Sequence, residues 1–421
     1  MLRGIRQSLA IILMAGCVST AGCGESATDG LVVLWGLEPR VAQPLLDQFE
    51  RETGIAVQPI MVPYSARFEK IATAGISGAA GFDVVMVDTI WTPQFAAAGW
   101  VVDITDEISA SDLDSMLPGT LDSVRYHNRL YGLPLYTDAK FFYYHEAMLR
   151  EAGLVEPPRT LDAFTRDAVK LTRQVGGHKV WGTVWSWKQA EGLICDWVVL
   201  AYASDPRPLF DGKGQPRFEE SGGVAALRWM VDLLYKYRAA DPGSLTFTEN
   251  KVRDHFLGGR SAMMLNWEGV LNKQEGASPG GMTADVKRAL IPGATAKRTA
   301  SVLGPEGLAI MSSSPKKAEA LQLLHFLTRP DMQRRLFESG GDLPIERQVL
   351  EESSQSMARP DWDMVCEQLE HARSRPGLVN YLRVSDILQA EIHKALLREK
   401  SPREALQDAA KRIDALAAAP S

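Results

Sequence analysis

The stretch LYGLPLYTDAKFFYYHEAML, Leu130 to Leu149, decides how the chain is organised. Tyr131, Tyr136 and Asp138 flank Pro134 in a segment too rich in strand formers to be a helix and too polar at its centre to be fully buried. It reads as an extended crossing between two lobes, with a polar rim on a cleft. Upstream, apolar runs alternate with helical patterns, which argues for parallel βαβ units. Downstream the alternation resumes with tryptophan-heavy content. A chain of 421 residues with 45% apolar content can bury a large core, and beyond ~250 to 300 residues two domains are favoured.

Upstream of the crossing, Leu31 to Trp35 reads as a buried strand. Pro44 to Thr53 then puts Leu45, Leu46 and Phe49 on one helical face before Gly54 stops it. Ile55 to Val62 gives a second strand, Ala66 to Gly75 a helix with Phe68 and Ile71 inward, and Asp83 to Val87 a continuous apolar strand of the doubly covered kind. Asp88 therefore closes a strand. Ligands of open α/β sheets gather outside the carboxyl ends of the strands, and that edge carries Trp35, Glu38, Asp88 and Trp91. Downstream, Thr160 is an N-cap and Val224 to Tyr237 a helix. AMMLNW, Ala262 to Trp267, is a strand closing on an aromatic that faces the cleft. Ser301 to Met311 is a strand interrupted at Gly304–Gly307, Ser314 caps a helix with Pro315 at its first position, and Pro330 starts another that Gly340 and Gly341 end. No repeat of ~20 to 50 residues is present.

The N-terminus carries Arg3 and Arg6, an apolar run from Leu9 to Met14, then small residues and cysteines, the layout of a secretory signal over residues 1–22. Cys17 follows Leu13-Met14-Ala15-Gly16 and Cys23 follows Thr20-Ala21-Gly22. Either resembles the lipobox at which bacterial lipoproteins are cleaved and acylated, with Cys23 the favoured site and Cys17 the alternative; an ordinary cleaved signal is the plainer reading. Residues 23–30 would then be a polar tether. No other apolar run approaches ~18 residues. Removing residues 1–22 takes the formal charge from −6 to −8, because that segment holds two arginines and no acid, and an acidic body does not suit nucleic acid. Cys195 and Cys366 are either a disulfide or two buried thiols.

Ten tryptophans need an account, since each offers a flat apolar face and an N–H that wants a partner. A sugar ring fits such a face, with carboxylates and amides at its edge to accept hydroxyl hydrogens. Trp91, Trp185 and Trp267 are the stacking candidates; core packing is the alternative for each. Among carboxylates at strand ends and loops, Glu38, Asp88, Asp138 and Glu306 stand out, with turn formation or plain solvation as the alternative. The histidines show no i, i+3 or i, i+4 pairs and no nearby cysteines, so neither a metal nor any other cofactor is indicated. No GxSxG, Walker-type or GxGxxG pattern is present, and catalysis lacks a signature.

FERETGIAV (Phe49 to Val57), FDVVMVDTIWTPQFAAAGW (Phe82 to Trp100), the crossing itself, VWSWKQAEGLICDW (Val184 to Trp197), FLGGRSAMMLNW (Phe256 to Trp267), SSPKKAEALQLLHFL (Ser313 to Leu327) and RPGLVNYLRVSDILQ (Arg375 to Gln389) occur in one order. Together they resemble the extracytoplasmic sugar-binding proteins of ABC importers, and within them the trehalose/maltose-binding branch. The resemblance implies an α/β, two-lobe, hinged periplasmic-binding-protein fold of type II with the ligand cleft between lobes. Lobe one is expected at 31–138 plus 292–344 and lobe two at 139–291 plus 345–421. It implies a monomer that captures a di- or small oligosaccharide without chemistry, hands it to the transmembrane subunits of an ABC permease, and sits outside the cytoplasm on a lipid anchor. Carried over motif by motif, ligand contacts fall on Glu38, Arg67, Asp88, Tyr136, Asp138, Trp267 and Arg375. The departure is at Gly304–Gly307, where trehalose/maltose binders carry a stacking Trp and this chain has Glu306. The competing readings are a secreted glycoside hydrolase using two carboxylates in the cleft and a binder of a non-sugar polyol.

Overall fold

The computed structural model describes residues 30–79, 81–117, 119–268, 285–356 and 361–418. The expected signal, the tether up to Asp29, Cys17 and Cys23 lie outside the described residues.

Two sheets organise two α/β lobes. In the first, the order is Val57–Met61, Leu31–Trp35, Val84–Asp88, Glu306–Ile310, Leu133–Tyr136. The first three strands are parallel, each βαβ crossover supplying a helix, Pro39–Thr53 and then Tyr64–Ser77. Glu306–Ile310 runs antiparallel to both its neighbours. Val84 to Asp88 is buried along its whole length, as a strand covered on both faces requires. The first helix begins at Pro39, five residues before the sequence pattern suggested, and continues through Pro44 to Gly54, whose φ of 74° and N–H bond to the Glu50 carbonyl end it in the left-handed manner glycine favours. Val41, Leu45, Leu46 and Phe49 form its buried face, and Phe49 meets Phe326 edge-on, ring centres 5.2 Å apart.

The second sheet runs Val286–Ala289, Lys140–His145, Ser261–Trp267, His178–Val184, Arg173–Val175. Ser261–Trp267 lies between an antiparallel and a parallel partner. Helix Glu191–Ser204 (EGLICDWVVLAYAS) is apolar around most of its circumference, and it is accordingly buried nearly throughout. Helices Gly223–Tyr235 and Tyr381–Leu396 pack over it and over each other, and Pro402–Ala418 packs over both of these. Every strand of the first sheet comes from residues 31–136 or 306–310, and every strand of the second from 140–289.

Three passages connect the lobes side by side. Thr137 bridges to Leu343 and Ala139 to Leu303, while Gly304 N–H donates to the Asp138 carbonyl at 2.8 Å and Thr137 N–H to that of Leu343 at 2.9 Å. The crossing at Tyr136–Lys140 is thus one strand of a three-strand connection. Ser314 is a correction: the helix starts at Lys317, and the Ser314 hydroxyl donates to Asp83 at 2.6 Å and accepts the Lys316 N–H at 3.0 Å. It fastens a connection to the sheet and caps nothing. Cys195 and Cys366 are free thiols, so of the two readings the disulfide falls away.

Candidate functional site

Register builds the site. Glu306 is the direct cross-strand partner of Asp88 on one side and of Tyr136 on the other, so three polar side chains meet at one edge of the first sheet, with Cβ atoms of paired residues ~4.5 to 5.5 Å apart. Asp88 and Tyr136 end their strands and Glu306 begins its own. All three are buried.

Burial of charge demands partners, and two arginines supply them. Arg67, on helix Tyr64–Ser77, pairs through Nη1 with Glu306 Oε2, and its guanidinium lies 5.4 Å from the Tyr64 ring centre and 5.7 Å from that of Trp91. Gly36 makes room for it: a Cβ there would stand 2.6 Å from the guanidinium carbon. Arg375 arrives from the C-terminal part of the chain. It donates from Nη2 to Asp88 Oδ1 and from Nη1 to Glu191 Oε1, both at 3.0 Å. Glu191, opening helix Glu191–Ser204 of the second lobe, also accepts from Tyr381 at 2.6 Å and Ser385 at 2.5 Å. Arg375 therefore ties a strand end of one lobe to a helix start of the other.

Burial opposes the Arg375 charge, but the carboxylates of Asp88 and Glu191 outweigh it and hold the group well above the usual arginine value. Burial, reinforced by Glu306 and Asp342, lifts the Tyr136 phenol well above the ordinary range. The Tyr64 phenol, which donates to Asp88 Oδ2 at 2.7 Å, is lifted by burial and by Asp88. Both phenols stay protonated donors at neutral pH. The Nε atoms of Arg67 and Arg375 are buried with no partner, two strong donors held without an acceptor.

Trp267 is half-buried at the end of Ser261–Trp267, against Gly304 of the connecting strands, where a Cβ would come within 2.7 Å of the ring. Lys140 lies 5.3 Å from its ring centre, wholly buried and bonded to Asp196 at 2.5 Å and Ser186 at 3.3 Å. Asp138 spends its Oδ1 on the N–H groups of Ala139 at 2.7 Å and Glu268 at 3.0 Å. It orders the backbone beside Trp267.

Two expected stacking rings are placed otherwise. Trp185 is wholly buried, stacked on Trp187 at 5.2 Å and flanked by Phe164 and Trp229. Trp91 is buried among Tyr64, Phe68 and Phe95. Both rings pack in a core, because helices close over these positions. Glu38 stays partly exposed, paired with Arg40 at 2.9 Å. Sequence reading missed Tyr64, Glu191 and Lys140. Only Glu191 carried a signal, as an acid at a helix start just after a tryptophan-rich strand end.

A cavity of about 340 Å³ opens beside this cluster, walled by Tyr202, Phe210 and Asp211 and by residues 374–378, Arg375 among them. Among the described residues no His, Cys, Asp or Glu group could hold a metal ion, and no helix is long and apolar enough to cross a membrane.

The sequence profile of bacterial extracellular solute-binding proteins matches residues 35–334. A maltose-bound protein of T. maritima, MalE3, superposes with a TM-score of 0.82 at 30% identity, covering 92% of this chain and 99% of its own. A solute-binding protein of Thermotoga lettingae bound to α-D-tagatose superposes equally well, at 28% identity over 92% of this chain and 99% of its own. A probable ABC transporter-binding protein of Deinococcus radiodurans is 25% identical over 86% of both chains.

Proposed function

We propose, for a chain that belongs to the bacterial extracellular solute-binding protein family, that the solute captured for an ABC importer is a sugar or sugar alcohol held between the two lobes. One observation carries the reading: Arg375 bonds Asp88 of the first lobe and Glu191 of the second at the edge where Arg67 meets Glu306. Carboxylates that accept hydroxyl hydrogens, guanidinium groups that donate in pairs, and a half-exposed indole are the chemistry polyhydroxylated solutes ask for. The maltose and tagatose seen in the two Thermotoga proteins point the same way, and they keep the trehalose/maltose-like disaccharide expected from the sequence among the ligands to test.

Capture without chemistry is part of the proposal. A hydrolase needs two carboxyl groups facing each other across a glycosidic bond, ~5 to 9.5 Å apart, whereas Asp88 and Glu306 are side-by-side partners on one sheet, each committed to a guanidinium. Acylation at Cys23, with Cys17 as the alternative, is the anchoring we assign, on the sequence alone; the mass of the N-terminal peptide tests it.

A thermal-shift panel of mono- and disaccharides, run beside a chromogenic glucoside, checks the function. A ligand at a hundred times its Kd adds ~2.7 kcal/mol of stability, so a binding sugar raises the melting temperature, and the glucoside stays intact. Turnover above blank would replace capture by hydrolysis, and a panel with no shift would remove sugars as the solute.

A further inference from the structure

Resting on the sugar-capture reading, we propose that Lys140 is a positioning residue for the solute: buried out of the solute's reach, it holds the indole of Trp267 ready to receive the carbon skeleton. Lys140 and Trp267 are direct cross-strand partners, Lys140 opening Lys140–His145 and Trp267 closing Ser261–Trp267. Such partners put their side chains on one face of the sheet, with Cβ atoms ~4.5 to 5.5 Å apart. The next pair along that face is Phe142 with Leu265, both buried in the core of the second lobe that includes helix Glu191–Ser204. An apolar side chain is therefore the default at position 140.

A wholly buried ammonium stands there instead, and stability alone does not explain it, because apolar replacements of a buried ion pair are often neutral or stabilising. What the pair does is fix the charge in place. Lys140 Nζ donates to Asp196 at 2.5 Å and to Ser186 at 3.3 Å, and Asp196 is itself held by the N–H and hydroxyl of Ser186 at 3.2 and 2.8 Å. The ammonium so held lies 5.3 Å from the indole centre, within the ~6 Å at which a cation is drawn to an aromatic face. Burial opposes its charge, but Asp196 and Glu249 outweigh burial and hold the group above the usual lysine value, so the attraction persists at neutral pH. Gly304 also abuts the ring, where a Cβ would come within 2.7 Å. A half-exposed indole at a strand end would otherwise exchange rotamers, and a ring fixed beforehand avoids the entropy lost when a mobile side chain is frozen on binding.

Titration calorimetry on the full chain tests this, using whichever of maltose, trehalose, D-tagatose and D-mannitol binds wild type most tightly. Lys140→Met alone would strand the Asp196 carboxylate, so the informative variant pairs it with Asp196→Asn, which removes both charges and leaves Ser186 an acceptor. We expect the melting temperature of the ligand-free pair to stay within a few degrees of wild type and its affinity to fall about fivefold. In a Trp267→Ala background the same two substitutions should cost nothing further, because a residue that acts through another does not add to its loss. Wild-type affinity in the paired variant, or a second fivefold loss without the ring, overturns the inference and leaves sugar capture standing. Binding by none of the four overturns sugar capture and takes the inference with it. A measurement on unmodified Lys140 guards against a variant that fails to fold: in protein labelled with fluorotryptophan, the Trp267 resonance, assigned by its loss in Trp267→Ala, should be single and sharp before sugar is added. A resonance that is broad or split and sharpens only with sugar overturns the inference as well.

Discussion

The edge of the first sheet and the tryptophan cluster of the second lobe look alike in sequence, aromatic rings beside acids just after a strand, yet the fold uses them in opposite ways. Asp88, Glu306 and Tyr136 leave their sheet where the covering comes from charged partners, two of which reach them across helix and lobe boundaries. Trp185 and Trp187 also follow a strand end, at Val184, but Phe164 and Trp229 come down on them from two helices. A ring can disappear into such a layer at a gain in burial. A carboxylate cannot, so it declares itself through ion pairs. The lesson is that a strand end marks a site according to the layer above it, and the number of tryptophans nearby says little.

The largest test of this contrast is Trp185→Ala. As a core residue it should lose ~3 to 5 kcal/mol of stability, read by calorimetric unfolding of the ligand-free protein, with sugar affinity of the folded molecules unchanged. An unaltered melting temperature with lost binding would move Trp185 from the core to the site. Glu306→Ala should cost stability too, since it strands the buried Arg67 guanidinium, but unlike Trp185→Ala it should also cost affinity. Hydrogen bonds to charged groups contribute ~1.5 to 3 kcal/mol, so affinity for the best solute should fall roughly tenfold to a hundredfold in titration calorimetry, and wild-type affinity would place the residue outside the site.

Trp267→Ala probes the ring between these extremes. Half-buried against Gly304, it should weaken solute binding by about tenfold, ~1.4 kcal/mol, with a smaller loss of melting temperature than Trp185→Ala; a larger loss would count it with the core. The smallest effect concerns the thiols. Burial pushes Cys195 up to about 12 and raises Cys366, which is only half-buried and so stays within reach of a reagent. In protein trimmed to begin at Gly30, a disulfide reagent at pH 8 should modify Cys366 alone until the chain unfolds, and rapid labelling of Cys195 would show that the helix carrying it opens in the native state.

Much of the fold was legible because its signals are local. Val84–Asp88 and Ser261–Trp267 follow from apolar runs, and Thr160 caps its helix as read, accepting the Ala163 N–H at 3.1 Å; the break expected at Gly304–Gly307 falls instead at residues 303–305, with Glu306 and Gly307 already in the strand Glu306–Ile310. Ser314 misled for a local reason too, since a serine before a proline imitates a cap and only the distant Asp83 shows its use. In the site, Asp88, Arg67, Tyr136, Glu306 and Arg375 come together as residue types, but their pairing was not readable: Arg67 lies 239 positions from Glu306 and Arg375 lies 287 from Asp88. Periodicity carries no information over such separations. The same holds for Glu191, whose role exists only once the lobes are in contact, and for Tyr64, Trp91 and Trp185, whose neighbours are set by tertiary packing.

The central claim is that both lobes hold the solute at the edge bridged by Arg375. A crystal structure of the full chain with the tightest-binding sugar or sugar alcohol tests it most directly. The account predicts solute oxygens within hydrogen-bonding distance of Asp88 and Glu306 from one lobe, with Trp267 of the other lobe against the carbon skeleton. A solute seated in the cavity beside Tyr202 and Phe210, out of reach of Asp88 and Glu306, would contradict it.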